Sequence, residues 1–183
     1  MLEKNHLATK PAGKSDAWEA IHSSKNDTWR TPKPLYDRLD REFHFDLDAA
    51  ALKHTALNER YFGPDHEDKD RRDALSNDWD GKSVFVNPPY GRGLGDWVRK
   101  GWIEAQKGKV VVMIVMACTD TIWWHDWAWK ADQIRLLKGR IPFRREDGSK
   151  AASAPKGSAI LIFRPTKRDR KPTFVSWTFN QHD

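Results

Sequence analysis

Residues Lys109 to Met116 read KVVVMIVM, and the apolar character runs on to Cys118. The run is far too short to span a bilayer and shows no alternation. That is the pattern of a β-strand covered on both faces, which obliges the chain to supply helices on either side of a sheet. The surrounding segments comply. Thr31-Pro32 marks a helix start, with Leu35, Leu39 and Phe43 at helical spacing. Phe43 to Leu47 alternates as a strand, Ser83 to Val86 (SVFV) is a short buried strand, and Asp96 to Gln106 is an amphipathic helix. A helix over Thr121–Ala131, a strand over Gln133–Leu137 and a last strand over Ala159–Phe163 (AILIF) complete the pattern. Alternation of this kind predicts a single α/β domain, with a mostly parallel sheet and helices on both faces. No clear helix separates the last two strands, so they are expected to form an antiparallel pair at the sheet edge.

The 183 residues suit one domain, expected over 27–165, after a mobile polar arm (1–26, with a short helix possible around Asp16 to Ile21) and before a basic C-terminal tail (166–183). Lys and Arg number 32 against 26 Asp and Glu, a net charge of +6 that favours a polyanionic partner such as nucleic acid. The sole cysteine, Cys118, excludes a disulfide framework, and the seven histidines show no paired ligand spacing, so no metal is expected. No signal-peptide or membrane-span pattern is present, which makes the cytoplasm the expected compartment. The ten tryptophans are read as mainly core, although flat aromatic surfaces also suit a protein that handles bases.

Chemistry concentrates where the strand VFV runs into Asn87-Pro88-Pro89-Tyr90. Proline cannot serve a central ladder, so the chain leaves the sheet there, at the carboxyl end of a strand where α/β proteins bind ligands. Asn87 presents an amide oxygen, and Pro88 fixes the backbone so that a carbonyl can point beside it. Two acceptors held together suit an exocyclic amino group, and Tyr90 can stack on the ring that carries it. An aromatic amine such as adenine N6 is a poor nucleophile. Accepting both of its N–H groups favours a pyramidal nitrogen with its lone pair directed at an electrophile, and no general base is obligatory.

Asn-Pro-Pro-Tyr after a strand resembles the catalytic motif of amino-group methyltransferases that use S-adenosylmethionine. More narrowly, the chain resembles the phage-type DNA N6-adenine methyltransferases. The matching stretches are TWRTP at 28–32, FDLDAAA at 45–51, ALSNDW at 74–79, VFVNPPYG at 84–91, Thr119-Asp120-Thr121 with Trp124-His125, GRIPF at 139–143 and APKGSAILIF at 154–163. The resemblance implies a Rossmann-like methyltransferase fold and S-adenosylmethionine as cofactor. Asn87, Pro88 and Tyr90 would hold the target amine and base, with Pro89 shaping the turn. Asp48 would receive the methionine part of the cofactor, Thr31 after Trp29 would pack beside it, and Asp73 would contact its adenine. A Gly-rich loop follows the first strand in many methyltransferases, whereas here it is Ala49-Ala50-Ala51. The usual ribose-binding acid has no clear match, and Glu59 is a candidate for it.

Arg92, in the loop after Tyr90, is read as a contact to DNA phosphate, and the late basic cluster of Arg135, Lys138, Arg140, Arg144, Arg145, Lys150 and Lys156 as a phosphate-contacting surface. DNA is thus the expected partner, with no membrane and no obligate protein partner. The expected setting is a bacterial host cell, with phage or prophage origin and protection of DNA from restriction as the role. Rival readings keep the chemistry but change the acceptor to cytosine N4, an RNA adenine or a protein glutamine, or discard catalysis for a DNA-binding module. No segment of the chain offers a dedicated base-reading element. A short or relaxed recognition site is therefore predicted, with about one or two bases fixed beyond the target adenine. Methylation mapping of genomic DNA checks this, since a single motif of four or more fixed bases, modified to completion, contradicts it.

Overall fold

The structure, a computed structural model, describes residues 29–145, 149, 156–165 and 171–179. The N-terminal arm, with the helix expected at Asp16 to Ile21, and Lys150 lie outside the described residues. The chain forms α1 (Lys33–Phe43), β1 (Leu47–Asp48), β2 (Ser83–Val86), α2 (Leu94–Gln106), β3 (Val110–Met116), α3 (Ile122–Asp126), β4 (Gln133–Lys138), β5 (Ser158–Phe163) and β6 (Thr173–Thr178). The strands make one sheet in the order β1-β2-β3-β5-β4-β6. β5 alone runs against its neighbours, antiparallel to both β3 and β4, while the other pairings are parallel. The α/β class and the flanking helices are as the sequence predicts.

Strand register sorts the side chains onto two faces. Phe85 lies opposite Val112, which lies opposite Ile162, so these share a face, and Arg135 joins it through Ile160. α1 covers this face: Tyr36 meets Phe85 edge-on at 5.1 Å, Glu42 holds Arg135, and Arg38 sits over Trp177 of β6. The opposite face carries Val84, Val111 and Met113. There α2 approaches so closely at Gly101 that a Cβ would lie 2.5 Å from the Met113 sulfur. Asn87 continues β2 with the parity of Phe85, which places it on the α1 side.

Four expectations change. The helix runs through Phe43 rather than yielding to a strand there. His44 caps it in the left-handed region (φ 52°), and the Asp40 carboxylate accepts the Phe45 N–H at 2.7 Å, turning the chain into β1. The antiparallel β4–β5 pair exists but is interior, because β6 pairs in parallel with β4 and takes the edge. β6 also falls within the stretch expected as a basic tail, so the folded domain extends at least to Phe179. Finally, the Thr121–Ala131 helix breaks at Trp127 into α3 and a 3-10 turn over Ala128–Lys130.

Glu104 of α2 is fully buried and accepts ion pairs from Lys100, Lys107 and Lys109, each at 2.9 Å, and the Trp79 N–H at 3.3 Å. Burial alone would raise its pKa, but hydrogen bonds from the three lysines outweigh burial and bring it down to about 2. A depressed carboxylate stabilises the fold above its unfolded pKa and loses that contribution as pH falls. Glu104→Gln should therefore destabilise the protein by about 3 kcal/mol at neutral pH, because it removes the charge that pairs buried Lys100 and half-buried Lys109. The gap to the parent should close between pH 5 and pH 2, which thermal melts across that range would check.

Candidate active site

Asn87 is held by a long-range contact. Its side-chain amide donates to the Trp29 carbonyl at 2.6 Å, across 58 residues of sequence. That bond orients the amide, leaving Oδ1 facing the other way. Oδ1 is buried and accepts no hydrogen bond among the described residues. The Tyr90 hydroxyl and the Thr31 hydroxyl share this condition. Buried polar atoms without partners are uncommon in folded proteins, and three in one neighbourhood point to a site completed by another molecule.

The rings around Asn87 form a cage. Trp29 lies 6.4 Å from Tyr90 and 5.4 Å from Phe143, and Tyr90 lies 6.0 Å edge-on from Phe143. A backbone bridge ties the two segments, with Arg30 N–H donating to the Arg144 carbonyl at 2.9 Å and Arg144 N–H to the Arg30 carbonyl at 3.2 Å. Tyr90 is almost fully buried, and burial, followed by the influence of Cys118, pushes its phenol far above its ordinary range. It therefore acts as a neutral ring and hydroxyl, not as a base.

Asp48 ends β1 beside β2. Its Oδ1 accepts the Ala50 N–H at 3.3 Å and its Oδ2 accepts the Leu57 N–H at 3.1 Å. Burial pushes its pKa up to about 6, against the pull of these hydrogen bonds, and no ion pair holds it among the described residues. A buried carboxylate without a cation is suited to receive one. The cofactor implied by the sequence carries an ammonium group, so the residues fit it here. Ala49 is fully buried, with its N–H on the Phe85 carbonyl at 2.9 Å, so this loop follows the sheet closely with no glycine.

The remaining candidates are less centrally placed. Asp73 caps its own turn, Oδ1 accepting from Leu75 N–H at 3.0 Å and Ser76 N–H at 3.1 Å. Glu59 is exposed. Arg92, Arg140, Arg144, Arg145 and Lys156 are exposed, and Lys156 lies 3.9 Å from Asp120. Arg135, read from sequence with the basic surface, is instead buried against Glu42 and holds that carboxyl below its ordinary range, chiefly by hydrogen bonding. Sequence reasoning gave no role to Phe143 or to the Leu57 N–H. Phe143 lies in the GRIPF stretch, whereas nothing in the sequence marks a backbone N–H. Among the described residues no group of three or more His, Cys, Asp or Glu is placed to hold a metal, and no helix is long and apolar enough to cross a membrane.

A model of the DNA N-6-adenine-methyltransferase (Dam) family matches residues 19–183, nearly the whole chain. The chain belongs to that family. It is also similar to the DNA N-6-adenine-methyltransferase of Haemophilus phage HP1 (strain HP1c1), at 27% identity over 146 residues, 78% of this chain and 81% of the relative.

The lone acid yields a prediction for stability. A raised carboxyl pKa means that the folded state keeps a proton which the unfolded chain has already released, so stability falls between about pH 4 and pH 6. Asp48→Asn removes this dependence. Its melting temperature relative to the parent should rise by several degrees between pH 4 and pH 7, and a pH-independent difference in scanning calorimetry would contradict the assignment.

Proposed function

We propose that the chain transfers the methyl group of S-adenosylmethionine to the N6 amino group of adenine in DNA. The observation that carries this reading is the Asn87 amide, tied through its nitrogen to the Trp29 carbonyl, with its oxygen buried and without a partner. The adenine has to leave the duplex to reach that oxygen. Trp29, Tyr90 and Phe143 would enclose the extruded ring, and the cost of unstacking is offset by new ring contacts. Asn87 Oδ1 and the Pro88 carbonyl would accept the two N6–H groups, directing the nitrogen lone pair outward, while Pro89 keeps the turn rigid.

When bound, the cofactor supplies an electrophilic methyl group. Asp48 would hold its ammonium, with Thr31, Trp29 and the Ala49-Ala50 backbone beside it and Asp73 toward its adenine. Pairing with a cation favours the ionised form of Asp48, so cofactor binding below about pH 6 should release a proton. Arg92, Arg140, Arg144, Arg145 and Lys156 would contact the DNA backbone. The basic balance of the chain supports nucleic acid over a protein acceptor. The phage relative supports action in a bacterial cytoplasm, where methylation would shield phage or prophage DNA from restriction.

Mass spectrometry of nucleosides from DNA incubated with the protein and labelled cofactor should find N6-methyladenine. Asn87→Ala should lower its rate of formation by about 10²–10³, the range for losing one preorganised polar contact, with cofactor affinity within a few-fold. Asp48→Asn should instead weaken cofactor binding first. N4-methylcytosine as the product, or near-normal turnover by Asn87→Ala, would overturn the reading.

A further inference from the structure

The Arg30–Arg144 bridge does more than close the ring cage. In an antiparallel pair, directly opposed residues project to one side and their chain neighbours to the other. Trp29 and Phe143 accordingly meet each other at 5.4 Å in the cage. Arg30 and Arg144 line a groove of about 290 Å³ whose lining leaves out the three rings but shares Thr31 and Leu57 with the surroundings proposed for the cofactor. Lys33, at the start of α1, lines it too, together with Thr31, Leu57 and Phe179, and no described acidic residue does. Lys33 pairs along its own helix with Asp37, which lies outside the lining. One Arg30 guanidinium nitrogen donates to the His54 carbonyl at 3.1 Å, which anchors that side chain. The groove thus brings three cations together at the flank of the catalytic asparagine.

We propose that this groove seats a phosphodiester of the DNA strand that delivers the target adenine, with Arg30, Lys33 and Arg144 as its ligands. The inference rests on the DNA reading above and adds Arg30 and Lys33 to the surface expected from sequence. Charge decides between the two candidate occupants, the cofactor and a phosphodiester. S-Adenosylmethionine carries an ammonium, a sulfonium and one carboxylate and is a net cation. It belongs with the buried, unpaired Asp48 and is repelled by a three-cation groove. A phosphodiester is a net anion with two acceptor oxygens, which suits guanidinium groups. The groove also lies one residue away, along the same backbone, from the Trp29 carbonyl that fixes Asn87. A phosphate held there ties the strand to the segment that orients the catalytic amide.

Fluorescence anisotropy with a short labelled duplex, read across a salt series, tests this without requiring methyl transfer. Arg144→Gln and Lys33→Gln should each weaken binding by roughly five- to tenfold near 0.1 M salt and flatten the log–log salt slope by about 0.9 per lost contact. Arg144→Lys should recover part of the loss, and calorimetric affinity for S-adenosylmethionine should stay unchanged in all variants. Thermal melts establish that each variant folds. An unaltered salt slope in the Arg144→Gln, Lys33→Gln double variant overturns the proposal. So does a loss confined to cofactor affinity, which would assign the groove to the cofactor carboxylate. A protein that binds through the groove yet leaves DNA unmethylated would sink the catalytic reading and leave this one standing.

Discussion

The hydrogen bond from the Asn87 amide to the Trp29 carbonyl governs the rest of the site. A strand-end asparagine on its own would rotate freely and offer either its nitrogen or its oxygen to a ligand. Committing the nitrogen to a backbone carbonyl leaves only the oxygen for a ligand and holds it in place before one arrives. This is preorganisation in its simplest form, with the reorientation completed during folding. The bond requires the segment before α1 to lie against the end of β2. That placement in turn depends on Tyr36 packing on Phe85 and on the Arg30–Arg144 bridge.

Several features near this bond are unfavourable to the protein alone. Three buried polar atoms lack partners, and Asp48 is buried without a cation. Such atoms occur elsewhere too, at Arg71 Nη1 and Ser158 Oγ, so it is charge that sets the site apart. Buried Glu104 is met by three lysines and buried Arg135 by Glu42. Asp48, at the carboxyl end of β1, is buried with no such partner among the described residues. Local strain of this kind at functional positions is what a ligand-completed site produces.

What could be read from the sequence was local and periodic. KVVVMIVM declares a strand covered on both faces because every position is apolar, and Asn87-Pro88-Pro89-Tyr90 declares an exit from the sheet because proline cannot pair. β6 was not legible, since most of its residues face solvent and it follows a basic, proline-containing stretch. The end of α1 was misjudged because Phe43 and Phe45 fit either periodicity, and the cap at His44 depends on backbone geometry rather than on residue type. Arg135 looked like one more surface cation because its partner, Glu42, lies 93 residues away. The groove was hidden for the same reason: the cross-strand bridge that gathers its arginines joins segments more than a hundred residues apart.

In the proposed reaction Asn87 Oδ1 receives an exocyclic amine beside the Trp29, Tyr90 and Phe143 cage. A crystal structure of the protein with an adenine-containing duplex and a non-reactive analogue of S-adenosylmethionine tests it directly. An extruded adenine should lie against those rings, its N6 within about 3 Å of Asn87 Oδ1, with the amide nitrogen still on the Trp29 carbonyl. An adenine extruded into a different cavity, or an Asn87 amide turned to present its nitrogen, would contradict it.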